Sequence, residues 1–269
     1  MAKGLSLHIG LNSIDSKHYN GWSGKLRACE KDATDMEAIA AAQQFETRIL
    51  LGKMASRENV INHIKDVAQQ LEPGDIFFIS YSGHGAQLPD LNGDEPDGLD
   101  EIWCLYNGGM LDDELDELWT LFKSDVRILV ISDSCHSGTI VKSVDNVVYS
   151  KHHPRFMDFQ KTLATYLKNK DFYDGLLQKH KDIISTEIEL EASIILISGC
   201  QDNQYSFDGV ANGAFTAALK RTWRGGQFEG SYRSFHRKIL NILPAYQSPN
   251  FLTYGKVNKE FENQRPFTI

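Results

Sequence analysis

Short, almost unbroken apolar runs punctuate the chain, most clearly Ile76-Phe77-Phe78-Ile79, Ile128-Leu129-Val130-Ile131 and Ile194-Ile195-Leu196-Ile197. A strand buried on one face alternates apolar and polar residues, so a continuous run predicts a strand covered on both faces. Strands are predicted at Leu5–Leu11, Glu46–Leu51, Ile76–Tyr81, Val126–Ser132 and Ser193–Ser198. Between them the apolar spacing becomes helical. Ala28–Gln44 carries Cys29, Ala33, Met36, Ile39 and Ala40 on one stripe. Ser56 is placed to cap Arg57–Leu71, whose Val60, Ile61, Ile64, Val67 and Leu71 form another stripe. Asp112 and Asp113 precede a third helix with Leu115, Leu118, Trp119 and Phe122 inward. Strands alternating with helices predict an α/β fold: a mostly parallel central sheet with helices on both faces. Functional residues are then expected just past the C-terminal ends of the strands. Residues 142–191 break the rhythm, with no strong strand and a surplus of Lys, Arg and His, and read as a solvated helical insertion or linker.

Composition changes this picture in one place. The 269 residues carry 28 Lys and Arg against 36 Asp and Glu, a net charge of −8. Between Asp66 and Phe122 there is no Lys or Arg, yet fourteen acidic residues lie there; the remainder is mildly basic. The overall acidity argues against nucleic acid as a partner, because phosphate binding needs concentrated Lys and Arg. No apolar run reaches membrane-spanning length, and Met1-Ala2-Lys3-Gly4 opens into a strand without a signal-like core. No membrane association and a cytoplasmic location are therefore expected. Cys29, Cys104, Cys135 and Cys200 are widely spaced without a paired-cysteine motif, so they read as free thiols.

Two of the apolar runs end in small-residue turns bearing reactive groups: Ser82-Gly83-His84-Gly85 and Asp133-Ser134-Cys135-His136-Ser137-Gly138. Adjacent parallel strands would bring His84 and Cys135 to one sheet edge. There an imidazole can take the thiol proton, and glycines admit a substrate backbone. The amides of Gly85 and Cys135 are candidates for stabilising an acyl-transfer oxyanion.

The ordered motifs Tyr81-Ser82-Gly83-His84-Gly85 and Asp133-Ser134-Cys135-His136-Ser137-Gly138 resemble the caspase-like cysteine peptidases, specifically metacaspases and their bacterial relatives, the orthocaspases. Leu26–Ala33, Asn92–Glu101, Leu111–Leu115, Ser198–Gln204 and Asn212–Thr216 extend the likeness. It implies a single caspase-like domain over 1–269. Its large-subunit-like part is 1–141, a basic insertion is 142–191, and its small-subunit-like part is 192–269.

The resemblance makes Cys135 the nucleophile and His84 the base and acid of peptide hydrolysis, with His136 structural. It also places Cys29, Asp32, Ser82 and Asp133, with Asp202 added from the second half, around the substrate residue before the scissile bond. Carboxylates there favour a cation, so cleavage after Arg or Lys is expected. A pocket for acidic residues would need an arginine, and none of these five residues is one.

The acidic block offers hard oxygen ligands suited to Ca²⁺. Its spacing is not that of an EF-hand, but the resemblance to calcium-activated metacaspases implies Asp97, Asp100, Asp112 and Asp113 as ligands. No organic cofactor is expected, and the family likeness points to a monomer. A protease of this preference would find self-cleavage sites, or a plug for its own cleft, within 142–191. The competing reading is a caspase-like pseudoenzyme that binds basic segments without cutting them. A different Cys–His hydrolase would not account for Asp32, Asp133 and the acidic loop together.

Overall fold

The computed structural model describes residues 2–89, 99–134, 154–184, 190–200, 206–209 and 211–269. Its main sheet contains β1 (Gly4–Gly10), β2 (Glu46–Leu51), β3 (Ile76–Ser82), β7 (Arg127–Asp133), β8 (Ser193–Ser198) and β9 (Asn250–Gly255). Their order is β2-β1-β3-β7-β8-β9, parallel except for β9, which closes one edge antiparallel to β8. A small antiparallel sheet, β4 (Gly85–Pro89), β5 (Leu99–Leu105) and β6 (Gly108–Leu111), follows β3.

The continuous apolar runs behave as strands buried on both faces. In β3, Phe77, Ile79 and Tyr81 enter one core while Ile76 and Phe78 enter the other. Ile128 and Val130 of β7 join the first core; Leu129 and Ile131 join the second. Helices α2 (Arg57–Gln70) and α3 (Asp112–Trp119) cover the first face through Val60, Ile64, Val67, Leu118 and Trp119. The second face is covered by α1 (Cys29–Ala42), α6 (Ala214–Trp223), α7 (Tyr232–Leu240) and α8 (Lys259–Asn263), which contribute Met36, Phe215, Phe235 and Phe261. Ser56 caps α2 as expected, its hydroxyl accepting from the Asn59 amide at 3.3 Å.

The insertion departs from expectation. It contains α4 (Phe159–Lys168) and α5 (Lys170–Ile184), and Met157, Tyr166, Tyr173 and Leu177 are buried in the first core. Tyr173 also ties the insertion to the body, its hydroxyl meeting His18 Nε2 at 2.8 Å and accepting from the Gly109 amide. Through these buried side chains, residues 157–177 pack against the body rather than trailing through solvent. No helix among the described residues is long and apolar enough to cross a membrane. Cys29, Cys104 and Cys200 are free and buried.

Candidate active site

The pairing of β3 with β7 sets Ser82 beside Asp133 at the C-terminal ends of both strands. His84 follows Ser82 in the link to β4 and is buried. Its Nε2 lies 3.0 Å from the Gly24 carbonyl oxygen, which can only accept. Nε2 therefore carries the proton, and Nδ1 presents its lone pair. Nδ1 is buried with no hydrogen-bond partner among the described residues. Burial, opposed by the Gly24 bond, pulls the imidazole down to about 4, so it is neutral at neutral pH. Trp22 packs against the ring at 4.7 Å between centroids. Gly24 has φ +51°, and a Cβ there would lie 2.8 Å from His84 Cδ2, so only glycine closes over this ring.

Beside His84 lies a buried charge cluster. Asp32 comes from α1, Ser82 and Asp133 from the strand ends, and Asp208 from the segment before α6. At its centre is Arg155, completely buried. Its guanidinium reaches Asp32 Oδ2 at 2.6 Å, Asp133 Oδ2 at 2.9 Å, Asp208 Oδ1 at 3.1 Å and Ser82 Oγ at 2.8 Å. Three carboxylates thus surround one cation.

The acids are held from behind. Asp133 accepts from Ser206 Oγ at 2.6 Å and from the amide and hydroxyl of Thr216. Asp32 accepts from Ser82 Oγ, Asn212 Nδ2 and the Gly213 amide. Burial pushes the Asp32 carboxyl up to about 6 against the opposing pull of Arg155. Cys29, buried near Ser82 and Arg155, has its thiol pushed up to about 12 by burial. A Cβ on Gly213 would meet the Arg155 guanidinium at 2.6 Å, so the cluster leaves no room for a side chain there.

The Arg155 backbone is anchored as firmly as its side chain. Its N–H donates to the Ser206 carbonyl at 2.9 Å, and its carbonyl oxygen accepts from the Gly85 amide at 3.0 Å. The Met157 amide donates to the Gly85 carbonyl at 2.9 Å, so residues 155–157 lie against the start of β4. Beside Trp22, a cavity of about 760 Å³ opens between Tyr19–Trp22 and the start of α4.

Four of the predicted pocket residues, Cys29, Asp32, Ser82 and Asp133, therefore meet in space. Asp202 lies outside the described residues. Asp208, six positions later, is the carboxylate of the second half that reaches the cluster. Its signal was the spacing of Ser206 and Asp208, which puts both side chains on one side of an extended segment. An arginine does stand among the pocket acids, contrary to expectation; it comes from the insertion, 123 residues from Asp32, and not from the pocket segments.

Cys135 and His136 also lie outside the described residues; Ser134, just after β7, is fully buried. Among the proposed metal ligands, Asp97 lies outside them. Asp100 is buried in β5, and Asp112 and Asp113 begin α3. Among the described residues no group of three or more His, Cys, Asp or Glu side chains is placed to hold a metal ion; Asp32, Asp133 and Asp208 converge on the Arg155 guanidinium instead.

Comparison with known proteins supplies the context. Residues 13–264 match the family model described as the caspase domain. Metacaspase-1 of Schizosaccharomyces pombe is 28% identical over 281 residues, covering 90% of this chain and 64% of the relative. Metacaspase-1 of Saccharomyces cerevisiae is 26% identical over 260 residues, covering 81% of this chain and 57% of the relative. The chain thus spans less than two thirds of the length of these curated relatives. A crystal structure of a Geobacter sulfurreducens protein superposes with a TM-score of 0.90 at 50% identity, covering 99% of this chain and 98% of that one. Caspase-1 from Spodoptera frugiperda shares the fold, with a TM-score of 0.54 at 10% identity over 94% of this chain and 86% of its own.

Proposed function

The chain belongs to the caspase-domain family, and from that premise we propose that it is a cysteine endopeptidase that cuts peptide bonds after Arg or Lys. The observation that carries the specificity is the nest of Asp32, Asp133 and Asp208 closed around a guanidinium beside His84. Two negative charges remain there beyond the one that Arg155 balances. Such a pocket stabilises a cationic side chain and repels an acidic one. Arginine is favoured over lysine because its planar fork meets several oxygens at once.

The chemistry follows from the orientation of His84. With Nε2 committed to the Gly24 carbonyl, neutral Nδ1 accepts the thiol proton of Cys135. The thiolate attacks the carbonyl carbon of the residue held in the acidic pocket. The Gly85 amide supports the developing oxyanion, with the Cys135 amide as its proposed companion. His84 returns the proton to the departing amine, and water releases the acyl group from sulfur.

Calcium stimulation is the remaining element of this reading. Asp112 and Asp113 sit at the N-terminus of α3, where the helix dipole tolerates carboxylates without a metal. The proposed set needs Asp97 to complete it. Assaying with added Ca²⁺ and with a chelator tests the requirement. The specificity is tested with fluorogenic peptides ending in Arg, Lys or Asp, using wild type and Cys135→Ala. Arg and Lys turnover lost in the variant supports the reading. Turnover of Asp peptides alone contradicts the pocket assignment, and binding of basic peptides without turnover would indicate a pseudoenzyme.

A further inference from the structure

Arg155 does more than neutralise buried acids. An ordinary buried ion pair fixes a side chain and leaves the backbone to its own secondary structure. Here side chain, amide and carbonyl are all engaged, and each by a different part of the cleft. The guanidinium fills the acidic pocket, the amide bonds Ser206 of the second half, and the carbonyl oxygen faces the Gly85 amide next to His84. Residues flank it on both sides: Pro154 bridges to Phe207, and Phe156 bridges to Gly85.

We infer that Pro154–Met157 is bound as an internal substrate, with Arg155 as the specificity residue and Arg155–Phe156 as the bond this enzyme cuts in itself. The inference rests on the peptidase reading above and names the self-directed target of that same site. Until the cut is made, Arg155 occupies the pocket and keeps external Arg and Lys substrates out.

The step balances as ordinary hydrolysis. Cys135 sulfur bonds to the Arg155 carbonyl carbon, the carbon–nitrogen bond to Phe156 breaks, and Phe156 nitrogen leaves as an amine with the proton carried by His84. One water then cleaves the thioester, giving the Arg155 carboxylate and restoring the thiol. The products are residues 1–155 and 156–269. Neither fragment is free to drift away at once, because β1, β3 and β7 lie in the first and β8 in the second, within one sheet.

Intact mass and N-terminal sequencing of the full chain, with a parallel Arg-peptide assay, test the inference. Wild type is expected to yield a fragment beginning at Phe156 that Cys135→Ala does not produce. Arg155→Gln slows that cut by roughly 100-fold or more, because a neutral amide cannot replace the guanidinium fork. Arg155→Lys retains it. Arg155→Gln also hydrolyses added Arg peptide while its own chain stays largely uncut. Phe156→Pro leaves Arg155 and its ion pairs in place but blocks the bond, so it remains intact and latent. If wild type turns over Arg peptide in a Cys135-dependent way, yet shows no Phe156 terminus and is matched by Phe156→Pro, the inference fails while the peptidase reading stands. Absence of Cys135-dependent turnover in every variant would sink both.

Discussion

Two buried arginines, Arg57 and Arg155, show how similar ion pairs serve different ends. Arg57, on α2, meets Glu114 of α3 through two hydrogen bonds, at 2.8 and 2.6 Å, and also donates to the Gly109 carbonyl. Glu114 in turn accepts from the Leu111 amide and so helps start its own helix. One cation meets one anion, Phe172 covers the guanidinium, and the charge is balanced. Arg155 instead faces three carboxylates at the strand ends, and its backbone is paired as well. Charge balance, with the Arg57 amide joining the start of its helix to the Asn107 side chain, marks a strut between helices. Excess negative charge together with a held carbonyl is what the proposed substrate pocket requires.

The comparison breaks most sharply at the reacting groups. Cys135→Ala or His84→Gln lowers peptide hydrolysis by roughly 10⁴-fold or more, measured as kcat/KM, while loss of the Arg57–Glu114 strut leaves the chemistry in place. Next comes the pocket. Asp133→Asn lowers kcat/KM for Arg peptides by about 100-fold, because a desolvated partner of the guanidinium is removed. Glu114→Gln leaves the Arg-to-Asp preference unchanged but costs about 3 kcal/mol of stability, read by urea unfolding, since it strands a buried cation. Equal loss of specificity in both variants would erase the distinction between pocket and strut.

A weaker effect concerns protons. His8 is fully buried between the Ser80 and Ser6 hydroxyls, and burial lowers it from 6.5 to about 3. His84 falls to about 4 for the same reason. Below pH 6.5 the unfolded chain binds protons that these native imidazoles refuse. Stability is therefore complete above that pH and is lost as the pH falls toward 4. Each histidine contributes about 1.4 kcal/mol per pH unit within its window. His8→Gln should flatten urea-unfolding stability by that slope between pH 6 and 4, whereas an unchanged slope would contradict the burial account. Smallest is the cap of α2: Ser56→Ala should cost about 1 kcal/mol without altering turnover.

Much of this architecture was legible in local pattern. The five strands and the first two helices appear within a residue or two of their predicted bounds, and the third helix begins at Asp112 and ends at Trp119, short of Phe122. Strands β1, β3, β7 and β8 are buried on both faces, whereas β2 is largely half-exposed or exposed. The small sheet escaped because Asp100 and Glu101 interrupt the apolar run of β5 and read as loop acids. β9 escaped because its residues are largely exposed at a sheet edge. The insertion looked solvated because its lysines are visible in composition, whereas the burial of Tyr166, Tyr173 and Leu177 depends on what they pack against. The same limit explains the pocket. Asp32, Ser82 and Asp133 stood out through motifs, but no local spacing connects Arg155 to acids 22, 53 and 123 residues away.

The most direct test of the central claim is kcat/KM for otherwise identical peptides ending in Arg and in Asp, measured on the same preparation with Cys135→Ala as the blank. The carboxylates around Arg155 predict turnover of the Arg peptide at least roughly 1,000-fold above the Asp peptide, abolished in the variant. Equal turnover, or preference for Asp, would contradict the assignment of this cluster as the pocket that recognises the substrate.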